Sequence, residues 1–236
     1  MLSLLGHQTG FGAPLGRGWP GGEALPPGAL HQAPLIVANL VSLWRLLQGF
    51  AVSLLLGTVL GVLMWRSEEL DKLLGPLFLG LQTLPSVCWA PLAVLVFGLE
   101  ERGVLFVLVM GSFFAIAIAL RDGLRTIPSL YQRSGLMLGA RGWRLYRYVL
   151  LPASLPAMGS SLRQGFSFAW RSLMGAEFVL ATQGTGLGRL LQLARNGQDL
   201  ARVLAVMLVM VLIGMAADRL VFAPLQARVQ RRFGLR

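Results

Sequence analysis

The sequence predicts an all-α integral membrane protein, and three observations carry that prediction. Hydrophobic residues make up 55% of the 236 residues and charged ones only 13%. The mean hydropathy of +0.67 is too high for an ordinary soluble domain. The apolar residues gather in five runs, each able to form a helix across ~30 Å of hydrocarbon. The basic residues lie mostly between those runs, so the net charge of +11 reads as positive-inside loops rather than a nucleic-acid surface. The single cysteine, Cys88, rules out an intramolecular disulfide, and its place inside an apolar run predicts a small buried hydrophobe.

Residues 1–34 are rich in Gly and Pro and read as an irregular segment, whose apolar start is too short for a signal-peptide core and lacks a basic flank. His7 and His31 fall in it without a ligand pattern, so no metal site is expected. Residues 35–42 predict a short interfacial helix leading into a first span over 43–64, whose only charge is Arg45, at one end. Gly57 and Gly61 form a small-residue pair suited to close helix packing in lipid. A polar hinge, 66–72, precedes a second span over 76–98, interrupted by Pro85 and Pro91. Prolines free backbone carbonyls, which in a membrane need a cavity or neighbouring protein. With Gln82, Thr83 and Ser86 alongside, this segment is either a pathway lining or an ordinary proline kink. A third run, 103–120, has no charge at all.

The interval 121–156 comes next and is the longest charged stretch between apolar runs. Its part from 131 onward carries Arg133, Arg141, Arg144 and Arg147 and no acidic residue. Leu136, Ala140 and Trp143 recur at i, i+4 and i+7, predicting an apolar stripe on one short helix over 133–145. Gly139 and Gly142 weaken that helix and permit close approach of another backbone. Two roles fit such a loop: docking to a soluble partner, or lying on anionic lipid headgroups.

The fourth span, 157–180, is unusual in holding Arg163, Arg171 and Glu177. Arg163, Trp170 and Glu177 lie within ~40° of one line at ~100° per residue. Gln164 and Arg171 form a parallel line, with Ser167 between. Charges at bilayer depth cost ~2.5 kcal/mol or more and normally face protein or water. They are therefore either a polar wall for an anionic solute or, in part, an internal Arg–Glu pair, with Arg163 snorkelling to the inner surface. Residues 183–188, Gln-Gly-Thr-Gly-Leu-Gly, nearly spell a dinucleotide fingerprint, but no strand precedes them; a Gly-rich turn into a short re-entrant or surface helix over 189–194 is expected. The last span is 203–222, followed by Arg228, Arg231 and Arg232. Arginine asymmetry puts the 66–72 hinge, the long loop and the C-terminal tail on the cytoplasmic side, giving five spans with the N-terminus outside.

Gly139, Val149, Leu151 and Pro152 stand as a glycine, nine residues, an aliphatic residue, any residue, Leu and Pro. This resembles the second half of the EAA loop of ABC-importer permeases. The first half departs: Arg133, Ser134 and Gly135 stand where that family usually has Glu-Ala-Ala, so a salt bridge from the Glu is not available here. The runs 84–98, 162–177 and 185–188 extend the likeness to the nitrate/sulfonate/taurine branch, from about residue 40 to the end. The resemblance implies a type I ABC-importer permease-like bundle in the inner membrane, with 35–236 as the permease domain. The 121–156 loop, through Arg133, Ser134, Gly135, Gly139, Ala140, Trp143, Val149, Leu151 and Pro152, would be its coupling element. It further implies a second permease copy forming the pore, a cytoplasmic ATPase subunit and an extracytoplasmic solute-binding protein. Family members usually have six spans, so the first is expected to be missing here.

No GxxxxGK[ST] phosphate loop occurs and the only lysine, Lys72, follows Asp71. ATP and Mg are therefore expected on the partner, with no cofactor on this chain and no enzymatic activity of its own. The implied solute is a small anion such as nitrate, an alkanesulfonate, taurine or bicarbonate. An ion-driven carrier is the alternative; its ion-binding carboxylates would have to be Glu177 and Asp218.

Overall fold

The structure, a computed structural model, describes residues 33–180 and 185–232. The chain divides into Met1–Ile36 and Val37–Arg236, and the helical bundle is the second unit. Apart from Ala33 and Pro34, which open α1, the expected irregular segment 1–34 lies outside the described residues, as do Gln183 and Gly184 of the Gly-rich turn.

The described residues are helical, with no strand among them. α1 (Ala33–Arg66) is one continuous helix. The interfacial piece expected over 35–42 is simply its first turns, because no Gly or Pro interrupts the chain between Pro34 and Gly49. α2 (Glu68–Thr83) begins at Ser67, whose hydroxyl accepts from the Leu70 N–H, and has three carboxylates in its first turn, where the helix dipole favours them. It stops before Pro85, which bars the preceding residue from helical geometry. A short turn (Ser86–Trp89) leads into α3 (Ala90–Phe97), bent by 101° from α2. The expected second span is thus two limbs rather than one helix. Cys88 sits at that bend and is exposed, contrary to expectation, because the break turns one side of the chain away from the helices behind it.

α4 (Glu101–Arg125) is the centre. Of its most apolar stretch 61% is buried, against 28% for α1 and 11% for the last span. α1 crosses it closely at the predicted small-residue pair: a Cβ at Gly57 would lie 2.7 Å from Ile116 Cβ, and one at Gly61 2.7 Å from the Ala117 carbonyl. The buried hydroxyls of Ser53 and Ser112 meet across this seam at 2.7 Å, a polar contact that helps hold helices together where lipid offers no hydrophobic drive. On its other sides α4 packs against α3 and against α7 (Leu151–Val179) through Val104, Val107, Leu108, Ala169, Leu173 and Ala176. A second cluster sets Phe78 of α2 edge-on to Phe114, ring centres 5.1 Å apart.

Three further elements complete the unit. α5 (Ser129–Met137), α6 (Trp143–Leu145) and a π turn (Tyr146–Leu150) make up the basic loop. α8 (Leu187–Asn196) is the expected short helix after the Gly-rich turn. α9 (Leu200–Ala217) runs through a π turn (Asp218–Phe222) into α10 (Ala223–Arg232). By length and apolarity α1, α4 and α9–α10 can each cross a membrane, and the bent α2–α3 pair makes a fourth. The fifth expected span, α7, has 29 residues, roughly 43 Å at 1.5 Å each, long enough to cross; its Arg, Gln, Ser and Gly residues leave it less apolar than the other four, so it does not qualify with them by apolarity.

Candidate functional site

Two regions hold the residues singled out from sequence: the basic loop and the polar faces of α7 with the α2–α3 bend.

The loop is two short elements folded on each other. Gly135 is buried, its missing side chain leaving room for Leu145 and Val149: a Cβ there would sit 2.6 Å from Leu145 Cδ1. Gly139 ends α5. Its φ is +80°, its N–H donates to the Leu136 carbonyl, and the Ala140 N–H donates to the Gly135 carbonyl, a Schellman cap that calls for glycine in the left-handed region. The space around Gly139 is open, so what fixes it is backbone conformation, not the close approach expected. Gly142, also left-handed at φ +56°, turns the chain into α6. Because α5 stops at Met137, Leu136, Ala140 and Trp143 do not share one helical stripe. Arg133, Ser134, Arg141, Arg144 and Arg147 are exposed, Ala140 and Val149 half-buried. Leu151 opens α7 and Pro152 occupies its first turn, where the missing N–H costs nothing. Beneath the loop lies a cavity of about 550 Å³ bounded by Gly123, Thr126, Tyr131, Tyr148, Pro152 and Ala157.

On α7 the two polar lines part company. Glu177 is 2% exposed and fully engaged. The Ser42 hydroxyl lies 2.8 and 2.9 Å from its two oxygens, the Gly188 N–H donates to it at 3.0 Å, and Arg45 Nη1 donates to it at 3.1 Å. Arg45 also reaches the Thr185 carbonyl at 3.0 Å and Glu101 at 2.7 Å. A Cβ on Gly186 would come 2.6 Å from the Glu177 carboxylate, so the Gly-rich turn is there to let the chain pass this ion pair. Arg163 holds Asp218 through both Nε (2.6 Å) and Nη2 (2.7 Å), and Gln226 through Nη1. Trp170 is buried in the core beside Gly214.

Gln164, Ser167 and Arg171 are exposed. Arg171 donates to the Ser167 carbonyl at 3.1 Å and lies 4.6 Å from the centre of the Phe168 ring; no carboxylate is within ion-pair distance among the described residues. The α2–α3 bend is close by. A Cβ on Gly111 of α4 would touch both Ser172 of α7 and Ser86, and Val87 packs against Gly175. Ser86 is half-buried and Thr83 exposed, its hydroxyl turned back to the Gly80 carbonyl. Gln82 keeps a buried Oε1 without a hydrogen-bond partner.

Sequence reading did not single out Ser42, Arg45 or the Asp71–Arg121–Arg125 group, in which Arg121 and Arg125 reach Asp71 at 3.0 and 2.8 Å. The signal was available. Arg163 and Glu177 are 14 residues, ~21 Å, apart on one helix, so each had to find its counter-charge on another.

Residues 53–230 match the family described as binding-protein-dependent transport system inner membrane component. The chain is 32% identical over 192 residues to an ABC transporter permease protein of Methanocaldococcus jannaschii, covering 81% of this chain and 72% of that protein. It is 26% identical to the bicarbonate transport system permease protein CmpB of Synechococcus elongatus, over 78% of this chain and 66% of that one. To the nitrate import permease protein NrtB of a Synechocystis strain it is also 26% identical, over 76% and 65%. The chain therefore spans about two thirds of the length of these cyanobacterial relatives. In fold it is similar to an amino acid ABC transporter crystallised with histidines, with a TM-score of 0.65 and 16% identity, over 89% of this chain and all of that one. The chain belongs to the binding-protein-dependent inner-membrane permeases, as a multi-pass, all-helical subunit of an ABC importer.

Proposed function

We propose that this permease passes a small anion and is driven in trans by a cytoplasmic ATPase docked on the 121–156 loop, with a second copy completing the pathway and an extracytoplasmic binding protein delivering the solute. The observation that carries the anion is Arg171, an exposed cation on a membrane-length helix with no acidic partner among the described residues, in line with Gln164 and Ser167. A cation on a helix that crosses hydrocarbon is stable only against water, protein or an anion. The relatives named for bicarbonate and nitrate agree with that charge. Coupling would run through the folded loop: movement of α5 is passed to α7 by the Gly135–Leu145–Val149 contact, and the cavity beneath leaves it room to shift, a rigid-body route to alternating access. An ion-driven carrier fits less well, because Glu177 and Asp218 are both bound to arginines.

The test is reconstitution of the permease with its binding protein and ATPase in liposomes, scoring uptake of bicarbonate, nitrate and taurine against internal ATP. Gly139→Val should insert and assemble yet lose solute-stimulated ATP hydrolysis, because a β-branched residue at φ +80° unravels the cap. Uptake that proceeds without the ATPase, driven by an ion gradient, would overturn the proposal.

A further inference from the structure

The loop that carries coupling in the proposed function is not a flat basic patch. α5 projects: of its residues with described side chains, only Gly135 is buried. Its tip is apolar and bare, with Met137 87% and Leu138 88% exposed. Arg133 lies one turn before Met137, and Arg141 and Arg144 come after it through the Gly139–Gly142 turn, all exposed. No acidic residue occurs between Asp122 and Glu177. The carboxylates near the loop's root, Asp71 and Asp122, are taken by Arg121 and Arg125, so Arg133, Arg141 and Arg144 have no acidic partner among the described residues.

We infer that this loop is shaped for an acidic-rimmed apolar pocket on a protein partner: Met137 and Leu138 enter the pocket, and Arg133, Arg141 and Arg144 meet carboxylates around its edge. This rests on the docking role in the proposed function and adds the partner's chemistry, which for an ATPase subunit means a docking cleft of negative charge. Two features favour an enclosing protein over a lipid surface. A helix lying on headgroups separates its apolar and basic residues onto opposite faces, whereas here Leu130, Arg133 and Met137 share one face at i, i+3 and i+7, and Tyr131, Ser134 and Leu138 the next. A helix exposed on every side but the one Gly135 turns to Leu145 and Val149 also offers contact area that a concave partner covers better than a flat surface. An apolar centre with a charged rim is the usual division of labour at interfaces, the centre giving affinity and the rim selecting the partner and speeding encounter.

The experiment measures binding of the ATPase encoded with this permease to full-length permease in nanodiscs of neutral phosphatidylcholine, at low and high salt. Wild type should bind, more weakly as salt rises. The double variant Arg133→Glu/Arg144→Glu should bind about tenfold or more weakly at low salt and lose the salt dependence. Met137→Ser/Leu138→Ser should weaken binding equally at both salts, and all variants should elute as the wild type does, since the substituted residues are exposed. Charge reversal on the ATPase rim should restore binding of the double-Glu variant. Binding unchanged by reversal overturns this inference and leaves the docking role standing. Loop protection that appears only when anionic phosphatidylglycerol is added assigns the arginines to lipid and overturns it too. No binding of wild type at all removes the docking role itself.

Discussion

α7 carries two rows of polar residues that look alike in sequence and that the fold treats in opposite ways. Arg163, Trp170 and Glu177 turn toward other helices, where Asp218 answers the first, the core encloses the second, and Arg45 and Ser42 answer the third. Gln164, Ser167 and Arg171, one residue further on, turn outward, and Arg171 has only a ring face and a carbonyl of its own helix. The lesson is that a charge in an apolar span is read from its counter-charge. Where another helix supplies one, the charge holds the bundle together; where none is supplied among the described residues, as at Arg171, the cation stands open to a ligand, which is the role the proposed anion pathway gives it.

The sharpest way to break that contrast is Glu177→Ala. It would leave Arg45, 3% exposed, with the Thr185 carbonyl and, as counter-charge, the surface-facing Glu101 alone, and free the N–H of Gly188. Removing one partner of a buried ion pair costs about 3–5 kcal/mol, enough to lose most folded permease. Yield of monodisperse protein and its thermal midpoint in detergent measure this. The paired change Arg45→Met with Glu177→Leu should recover much of the loss, since an apolar pair of similar volume needs no partner. If Glu177→Ala is as stable as wild type, the inward row is not structural.

Next in size is Arg171→Leu, where the two readouts should separate. Stability should stay within ~0.5 kcal/mol, as for an exposed site whose partners are a carbonyl and a ring of its own helix and no carboxylate. Anion uptake by the reconstituted transporter should fall about tenfold or more, the value of one charge-assisted hydrogen bond, while Arg171→Lys should retain part of it. A fall in thermal midpoint together with uptake would place Arg171 with the inward row.

The sequence showed the helices well and their pairings poorly. Apolar runs marked α1, α4, α7 and α9 because hydrocarbon demands one long helix per crossing, and Pro85 marked the break at the α2–α3 bend. The small-residue pair at Gly57 and Gly61 did mark a close crossing, though its partner on α4 could not be named. On α7 the sequence pointed to a structural role for Glu177, which is buried in an ion pair, and to the pathway for Arg171, but it named no partner on another helix for either Arg163 or Glu177. Period alone puts Arg163 and Arg171 on neighbouring lines 100° apart or less, and which line faces protein depends on Arg45, 118 residues earlier than Arg163, and Asp218, 55 later. In the loop, Gly139 was expected to weaken a helix over 133–145 and admit another backbone; α5 does end there, but the space beside Gly139 is open, and its use as a cap is set by the hydrogen bonds of α5, which a stripe of apolar residues does not reveal.

The smallest predicted effect sharpens the comparison from within the inward row. Asp218→Asn removes the carboxylate that Arg163 grips with two nitrogens, yet the two side chains are 43% and 35% exposed. Arg163 can therefore turn its charge to water or headgroups and still keeps Gln226 at 3.1 Å. The loss should be about 1 kcal/mol or less, as for an exposed ion pair, and should shrink with added salt, which screens accessible charges and leaves enclosed ones alone. The Glu177 variant should show no such salt response, because its pair is shut off from solvent. Measuring both thermal midpoints across a salt series thus ranks the two ion pairs on one axis. If Asp218→Asn proved the more damaging and the less salt-sensitive, depth in the bundle would not be what governs the worth of these charges.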